Sequence, residues 1–211
     1  MSAETVLVPR AEFDMEDPWK TPGHCSPVRL RSATDGATPR LSTSATLYYD
    51  EDYLSILFSA ADDAVCATWR EHDAPLYEED VVEIFLAPAA LTEYFEIEVN
   101  PLGTLFDARI ASPEGNRQTM RVDRGWTCEG LVAALRMVKE SSGVMTVDTI
   151  VRIPFFALER STPGDGETWR ANLFRIDRNP RGDEFSAWQP TRRSPADFHV
   201  PAAFGTLRFG A

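Results

Sequence analysis

Apolar residues recur at every second position through the middle of this 211-residue chain. In Tyr53–Ala60, for example, Leu54, Ile56 and Phe58 alternate with more polar neighbours, and three later segments behave in the same way. These segments are Val81–Leu86, Tyr94–Asn100 and Leu105–Ile110. Because successive side chains of a strand point to opposite faces of the sheet, this period indicates half-buried β-strands.

The rest of the chain adds strands and almost no helical period. Short helices are predicted only at Pro154–Leu158 and Ala74–Glu79, and surface loops at Asn116–Arg124, Thr162–Gly166 and Asn179–Asp183. Further strands are predicted at Thr5–Val8, Gly130–Val138, Val144–Ile153, Trp169–Asp177 and Thr206–Phe209. Many short strands separated by turn signals predict an all-β fold, an antiparallel β-sandwich of the jelly-roll or immunoglobulin-like kind with short helical turns.

The N-terminal segment differs from the rest of the chain in its proline content. Prolines at positions 9, 18, 22, 27 and 39 predict an extended, loop-rich N-terminal arm over residues 1–40 that packs on the domain. No internal repeat or low-complexity tract follows. The remaining residues, 41–211, are therefore predicted to form one β-sandwich, a size that is ordinary for this class.

Charge excludes several classes of partner. The chain carries 33 acidic against 21 basic residues, a formal net charge of −12, with no basic stripe for a phosphate backbone or an anionic membrane. No apolar window could cross a membrane and no signal peptide is seen, so a cytoplasmic location is expected if Met1 is the native start. Three widely spaced cysteines suit free thiols. We expect a monomer or a weak homodimer.

One face of the predicted middle strands is polar. If the alternation is taken at face value, Glu83, Glu96, Glu98 and Arg109 all point away from the core, where Arg109 could neutralise part of the Glu96/Glu98 charge. Antiparallel sheets normally have such a solvated outer face. The aromatic residues that share this face, and Tyr77 just before the Glu83 strand, favour instead a binding face. Both interpretations stay open from the pattern alone.

Several motifs resemble those of the family-nine carbohydrate-binding modules. The clearest is Tyr77–Leu86, an aromatic-x-x-Asp-x-Val-Glu-Ile-Phe pattern, and the order and spacing of weaker motifs extend the resemblance over residues 41–209. The weaker motifs are Leu47–Leu54, Phe95–Gly103, Ile153–Phe155, Trp169–Asn172, Ala187–Thr191, and Phe198–Pro201 before Phe204-Gly205. The resemblance implies a β-sandwich related to DOMON-type sugar and haem domains.

The resemblance also implies a site. Members of this family hold a glycan end or a free mono- or disaccharide between two aromatic rings, and these rings correspond to Tyr77 and Phe198, both in place of tryptophan. Glu83 corresponds to a glutamate that binds hydroxyls, and Glu96 and Glu98 to positions that are polar or basic in the family. The same resemblance implies structural calcium.

Other candidates come from the residues themselves. Trp188 suits either the core or the ligand site, and His199 is a candidate only because it adjoins Phe198. The acidic turns Asp50–Asp52 and Asp62-Asp63 could hold calcium or be solvated. No metal ligand and no catalytic residue is assigned, and no other cofactor is expected.

Three functions follow as hypotheses. The first is a stand-alone, non-catalytic module for a mono- or oligosaccharide or for a polysaccharide such as xylan or cellulose. The second is a small-metabolite or protein-interaction sandwich, favoured by the lack of a leader sequence. The third is a glycosidase using Glu96 and Glu98, but side chains two apart on one strand rarely flank a substrate from opposite sides.

Overall fold

The computed structural model describes residues 4–23, 25–139, 141 and 143–210. Over these ranges the chain forms fourteen strands and three single-turn 3₁₀ helices. The strands are β1 (Thr5–Pro9), β2 (Val28–Arg29), β3 (Arg31–Ser32), β4 (Thr43–Tyr49), β5 (Tyr53–Asp62), β6 (Val81–Ala87), β7 (Glu93–Val99), β8 (Leu105–Ala111), β9 (Arg121–Asp123), β10 (Val132–Lys139), β11 (Met145–Pro154), β12 (Thr168–Asp177), β13 (Glu184–Ala187) and β14 (Gly205–Gly210). The 3₁₀ turns are Leu76–Glu78, Phe155–Leu158 and Pro201–Ala203.

The strands that the structure describes form two sheets. The first has the order β1-β14-β12-β6-β7-β8-β9, and β13 pairs with β12 and with β3 beside this path. The second sheet has the order β10-β11-β5-β4-β2. All of these pairs are antiparallel except β1 with β14, which run parallel. The predicted antiparallel β-sandwich is confirmed.

The two sheets enclose the main hydrophobic core. Ile84 of β6 and Ile97 of β7 face Ile56 of β5 and Val151 of β11, and all four are almost fully buried. Full burial of such side chains is worth about 1.5–3 kcal/mol each relative to exposure, which makes this layer the main source of stability. The alternation of the sequence therefore marks the sandwich core correctly in β5, β6 and β7.

The outer face of the first sheet is covered by a second apolar layer. Phe85, Tyr94, Phe106 and Phe174 from four adjacent strands pack there in a second buried cluster. Loop residues complete it. As a result β6 is buried along its whole length and β7 along all but its first residue. The sequence predicted half-buried strands, and this is wrong for β6 and β7 because loops cover the face that the pattern left open.

The N-terminal segment contributes to both sheets. β1 pairs with β14 and β3 with β13 in the first sheet, while β2 pairs with β4 in the second. The division into an arm of residues 1–40 and a sandwich of residues 41–211 stays a prediction, and positions 1–3, 24, 140, 142 and 211 within it lie outside the described residues.

Two local differences bear on the site. The predicted loop Asn116–Arg124 contains the short strand β9, and β13, which ends directly before Trp188, lies outside the strand ranges given above. Both extend the first sheet at positions that border its outer face. No helix in the described part of the chain has the length and apolar character that crossing a bilayer requires.

Candidate functional site

A cleft of about 310 Å³ opens on the outer face of the first sheet. Its floor is formed by side chains of β6, β7 and β8, and its walls by the turn before β6, the segment between β8 and β10, and the segment between β13 and β14. The lining residues are Tyr77, Glu83, Glu96, Phe106, Arg117, Met120, Val122, Arg124, Ile176, Phe185, Ala196, Phe198 and His199. Five of the eight predicted site residues are among them.

Three glutamates lie together at the floor. Glu83 on β6 stands directly opposite Glu98 on β7, and Glu96 is two residues away on the same face of β7. Each can place one carboxylate oxygen within 4.8 Å of the others, and all three are buried. The predicted polar face therefore exists for these residues, but it is a buried cluster and not a solvated exterior.

In the part of the chain that the structure describes, no arginine or lysine lies within 4.0 Å of the three carboxyls. Among the described residues, His199 is the only basic side chain within 4.0 Å of them, with its Nε2 3.8 Å from Glu96 Oε1. Burial raises the pKa of Glu96 to about 7 and raises the pKa values of Glu83 and Glu98 well above their usual range. The charge of neighbouring glutamates adds to this for Glu83 and Glu98. The floor therefore holds protons that ordinary glutamates would have lost.

Tyr77 is positioned by the turn that carries it. Leu76 beside it is fully buried and anchors the 3₁₀ turn, which leaves Tyr77 37% exposed at the rim of the cleft. The Tyr77 carbonyl accepts a hydrogen bond from Arg178 Nη2 at 2.9 Å, and its hydroxyl accepts one from Arg124 Nη2 at 3.2 Å. Its ring meets that of Phe106 edge-on, with 6.3 Å between centroids. Tyr77 is thus an accessible ring in a fixed orientation.

Phe198 also lines the cleft but is more deeply buried. It stacks on Phe174 of β12 with ring centroids 4.2 Å apart and planes 12° from parallel, and it is 7% exposed. Its neighbour Asp197 accepts hydrogen bonds from Arg117 Nε at 2.7 Å and from the His199 backbone N–H at 3.1 Å. The two predicted rings therefore border one hollow, with Tyr77 at its rim and Phe198 packed into the second apolar layer.

His199 lies at the inner end of the cleft. Its Nδ1 and the Tyr94 hydroxyl form a hydrogen bond of 2.8 Å, which orients the imidazole toward Glu96. Burial lowers the pKa of His199 to about 4, with the Arg117 charge acting in the same direction. The ring is therefore neutral near pH 7, a polar group that can bond a hydroxyl without bringing a charge.

Two arginines of the cleft were missed by the sequence analysis. Arg117 and Arg124 come from the predicted surface loop between β8 and β10, and the Arg124 guanidinium lies 5.4 Å from the centroid of the Phe106 ring. A loop has no periodicity that tells which of its side chains turn inward. The only available signal was the composition of that segment, where three arginines, Arg117, Arg121 and Arg124, occur within eight residues.

Arg109 and Trp188 lie outside the cleft. Arg109 pairs in register with Phe95, not with the glutamates, and its guanidinium donates to Glu93 and Glu159. The prediction that it shares a face with Glu96 and Glu98 is wrong, because in β8 it is Phe106 and Ala108 that stand opposite these glutamates.

Asp107 and Leu105 alternate with Phe106 in β8 and lie on the same face of the sheet as Arg109. Trp188 is 2% exposed within the main core, against Gly205, which agrees with the core interpretation left open for it and not with a ligand contact.

The acidic turns proposed for calcium are occupied by arginines. Asp50 is paired with Arg152, and Asp62 accepts from Arg175 Nη2 at 2.9 Å. Asp63 is shared between Arg40 and Arg181. Guanidinium groups therefore hold oxygens of each turn, which reduces the number left free for a calcium ion. Asp62 also lies in a buried group with Asp80 and Asp177, in which each residue offers a carboxylate oxygen within 4.8 Å of the others. Structural calcium at these turns stays a prediction.

A two-sheet sandwich with an aromatic-rimmed, polar-floored cleft on one face is the architecture of a ligand-binding module. The model of carbohydrate-binding family 9 matches residues 41–209, most of the chain. The protein therefore belongs to carbohydrate-binding family 9, as its motifs predicted.

Solved structures agree in fold. A protein from Bacteroides uniformis, provisionally described as carbohydrate-binding, superposes with a TM-score of 0.75 at 18% identity, over 99% of this chain and 100% of the other. A family 9 module from Caldicellulosiruptor kristjanssonii in complex with cellotriose gives 0.64 at 14% identity, over 99% and 94%.

A family 9 module from the same organism in complex with glucose gives a TM-score of 0.61 at 15% identity, over 99% and 97%. At such identities these likenesses show the fold alone. No curated protein matches the chain.

Proposed function

We propose that the protein is a non-catalytic carbohydrate-binding module that holds one sugar ring, or the end of a glycan chain, in the cleft between Tyr77 and Phe198. The observation that carries the proposal is that these two rings border the same hollow, above a floor of hydrogen-bonding groups. Membership of a carbohydrate-binding family supports the substrate class.

The rings suit the apolar side of a sugar. A pyranose presents C–H groups on its faces, which pack favourably against the face of an aromatic ring. Tyr77 offers such a face at the rim, because Arg124 binds its hydroxyl and Phe106 meets it edge-on. Phe198 is held in place by its stack on Phe174, and the small exposed part of its ring lines the hollow.

The floor and walls suit the polar rim of a sugar. Hydroxyls both donate and accept, and the cleft provides both kinds of partner: carboxyls at Glu83 and Glu96, a neutral imidazole at His199, and guanidinium donors at Arg117 and Arg124. Each hydrogen bond contributes about 1 kcal/mol net, so a few of them together with the ring contacts correspond to micromolar affinity at best.

The arrangement of the acids supports a non-catalytic function. A glycosidase needs two carboxyls on either side of the scissile bond. Here Glu83, Glu96 and Glu98 all project from one sheet face into the same floor, and Glu98 is fully buried beneath it. A sugar in the cleft would meet these groups from one side only.

The ligand class is suggested by two relatives. Family 9 modules from Caldicellulosiruptor kristjanssonii have been solved with cellotriose and with glucose. We therefore take β-1,4-linked glucose units as the first ligands to test on this chain.

The test is calorimetric titration of the purified chain with glucose, cellobiose, cellotriose and xylotriose. We expect saturable binding of at least one of them, weakened at least tenfold in Tyr77→Ala while the melting temperature stays close to that of the wild type. Phe156→Ala is the matched control, because Phe156 is an aromatic residue that is 60% exposed and lies away from the cleft.

Two results would contradict the proposal. One is the absence of binding to all four sugars at millimolar concentration. The other is equal loss of affinity in Tyr77→Ala and Phe156→Ala, which would place the sugar elsewhere on the surface.

A further inference from the structure

The glutamate cluster of the cleft floor is more acidic than sugar binding requires. Hydroxyls of a sugar can reach Glu83 and Glu96, which line the cleft, whereas Glu98 lies behind them and is 0% exposed. A carboxyl in such a position contributes nothing to a hydrogen bond with a ligand in the hollow. Its presence needs another explanation.

In the described chain, three carboxylate oxygens of this cluster lack a hydrogen-bond donor. Within the described residues, Glu83 Oε1 and both oxygens of Glu98 are buried without a hydrogen-bond donor. Arg117 and Arg124 line the same cleft, but Arg117 bonds Asp197 and Arg124 bonds the Tyr77 hydroxyl. Because a buried carboxylate without a partner is costly, the cluster must be compensated by bound protons or by a cation.

We propose that the floor of the cleft binds a divalent cation through the carboxylates of Glu83, Glu96 and Glu98. Oxygen-preferring cations such as Ca²⁺ and Mn²⁺ are held by clustered carboxylates, and Ca–O distances of about 2.4 Å place trans ligands about 4.8 Å apart. The three side chains of this chain can each place an oxygen within 4.8 Å of the others.

The surroundings of the cluster favour such an ion. Glu83 and Glu96 open onto the cleft, which provides a route for the ion and leaves coordination positions that face the hollow. Three carboxylates and one divalent ion leave a local charge of −1, beside the two cleft arginines.

A second acidic group in the structure provides an internal control. His72 lies between Asp73 and Asp107, with Nδ1 3.1 Å from Asp73 Oδ2 and Nε2 3.4 Å from Asp107 Oδ2. Both imidazole nitrogens there already face a carboxylate. A cation bound at the cleft floor must be insensitive to changes at His72.

The experiment is titration of the metal-free protein with Mn²⁺ alone at pH 7.5, followed by calorimetry and by the loss of the free-Mn²⁺ paramagnetic resonance signal. We expect one saturable site with a dissociation constant below about 1 mM and displacement of the bound Mn²⁺ by Ca²⁺. Glu98→Gln and Glu83→Gln are expected to weaken binding at least tenfold, and His72→Asn to leave it unchanged.

Three results would overturn the proposal. They are the absence of saturable Mn²⁺ binding to the wild type, affinity that is unchanged in both glutamine variants, and loss of binding in His72→Asn. The wild-type titration decides the matter even if a variant fails to fold. Because the metal is titrated without sugar, failure here leaves the proposed carbohydrate binding untouched, and failure of sugar binding leaves the cation site untouched.

Discussion

Glu83 and Glu98 face each other directly across β6 and β7, and both are buried. Two ionised carboxylates at directly opposed positions of an antiparallel pair would destabilise a sheet, and burial would add to the penalty. Apolar residues at both positions would stabilise the fold better, and the neighbouring pair Ile84 and Ile97 is apolar. The acids therefore stand where the sandwich gains nothing from them, at the floor of the cleft.

Stability is expected to depend on pH through this pair and Glu96. The folded-state pKa of Glu96 is raised from 4.5 to about 7, and those of Glu83 and Glu98 are raised as well. A raised carboxyl pKa stabilises the folded state below the unfolded pKa, and this contribution is lost as the pH rises through the folded pKa. In EDTA, we expect the wild-type free energy of unfolding to decrease between pH 5 and 8 through this contribution.

The glutamine variant isolates the effect. Urea denaturation measures the difference in free energy of unfolding between Glu98→Gln and the wild type. We expect this difference to shift in favour of the variant as the pH rises from 5 to 8. His199, whose lowered pKa acts in the opposite direction below pH 6.5, remains in both proteins and so cancels to first order in the comparison. Parallel pH profiles for the two proteins would refute the raised pKa values.

The two rings of the cleft are expected to contribute differently to the free energy of unfolding. Phe198→Ala removes a nearly buried ring from its stack on Phe174 and should lower the free energy of unfolding by about 3 kcal/mol. Tyr77→Ala, at an exposed rim position, should cost less than about 1 kcal/mol. Urea denaturation at pH 7 measures both, and similar costs for the two variants would show that the assigned burial is wrong.

Arg175 is expected to be the most sensitive arginine of the sandwich. Its guanidinium is buried and bonds Asp62 and Asp177 at 2.9 and 3.1 Å. Arg175→Ala leaves the buried Asp62 carboxylate without its cation and leaves Asp177 only Arg40, 3.6 Å away, and should cost about 3–5 kcal/mol. The exposed pair of Arg10 with Glu51 is the control, since Arg10→Ala should cost no more than about 1 kcal/mol. Equal melting temperatures for both variants would contradict this expectation.

Gly205 is expected to tolerate no side chain. A Cβ at this position would lie 2.3 Å from the nearest ring atom of Trp188, which is itself packed in the main core. Gly205→Ala should therefore destabilise the protein by about 2–3 kcal/mol. Gly164→Ala, where the nearest atom is 4.0 Å away, is the matched control and should be neutral. Thermal unfolding of the two variants distinguishes close packing at Trp188 from a general effect of replacing glycine.

Much of the fold was predictable because the alternation of β5, β6 and β7 records real burial. The sequence did not predict which face of β8 meets which apolar layer. Its apolar positions Phe106, Ala108 and Ile110 lie in the second apolar layer, while Asp107 and Arg109 lie on the other face. Alternation separates two faces of a strand but does not tell which face meets which layer when both are covered.

The site was predictable where a strand or a motif fixed it. Glu83, Glu96 and Glu98 follow from strand register, and Tyr77 and Phe198 from the family motifs. Arg117 and Arg124 could not be found in this way, because they reach the cleft from a loop whose path is set by tertiary contacts such as the Arg117–Asp197 ion pair. Burial of the glutamates was also beyond the pattern, since it depends on the loops that cover them.

The floor of the cleft belongs to the central strands, while much of its wall belongs to the segment between β8 and β10. Substitutions in the floor disturb the hydrogen-bonded ladder and both apolar layers at once, whereas exposed wall positions such as Arg124 or Val122 leave the sandwich intact. Substitutions that change ligand preference can therefore accumulate in this wall segment while the chain still folds. An engineer who wishes to retarget this scaffold would diversify that segment and leave β6 and β7 as they are.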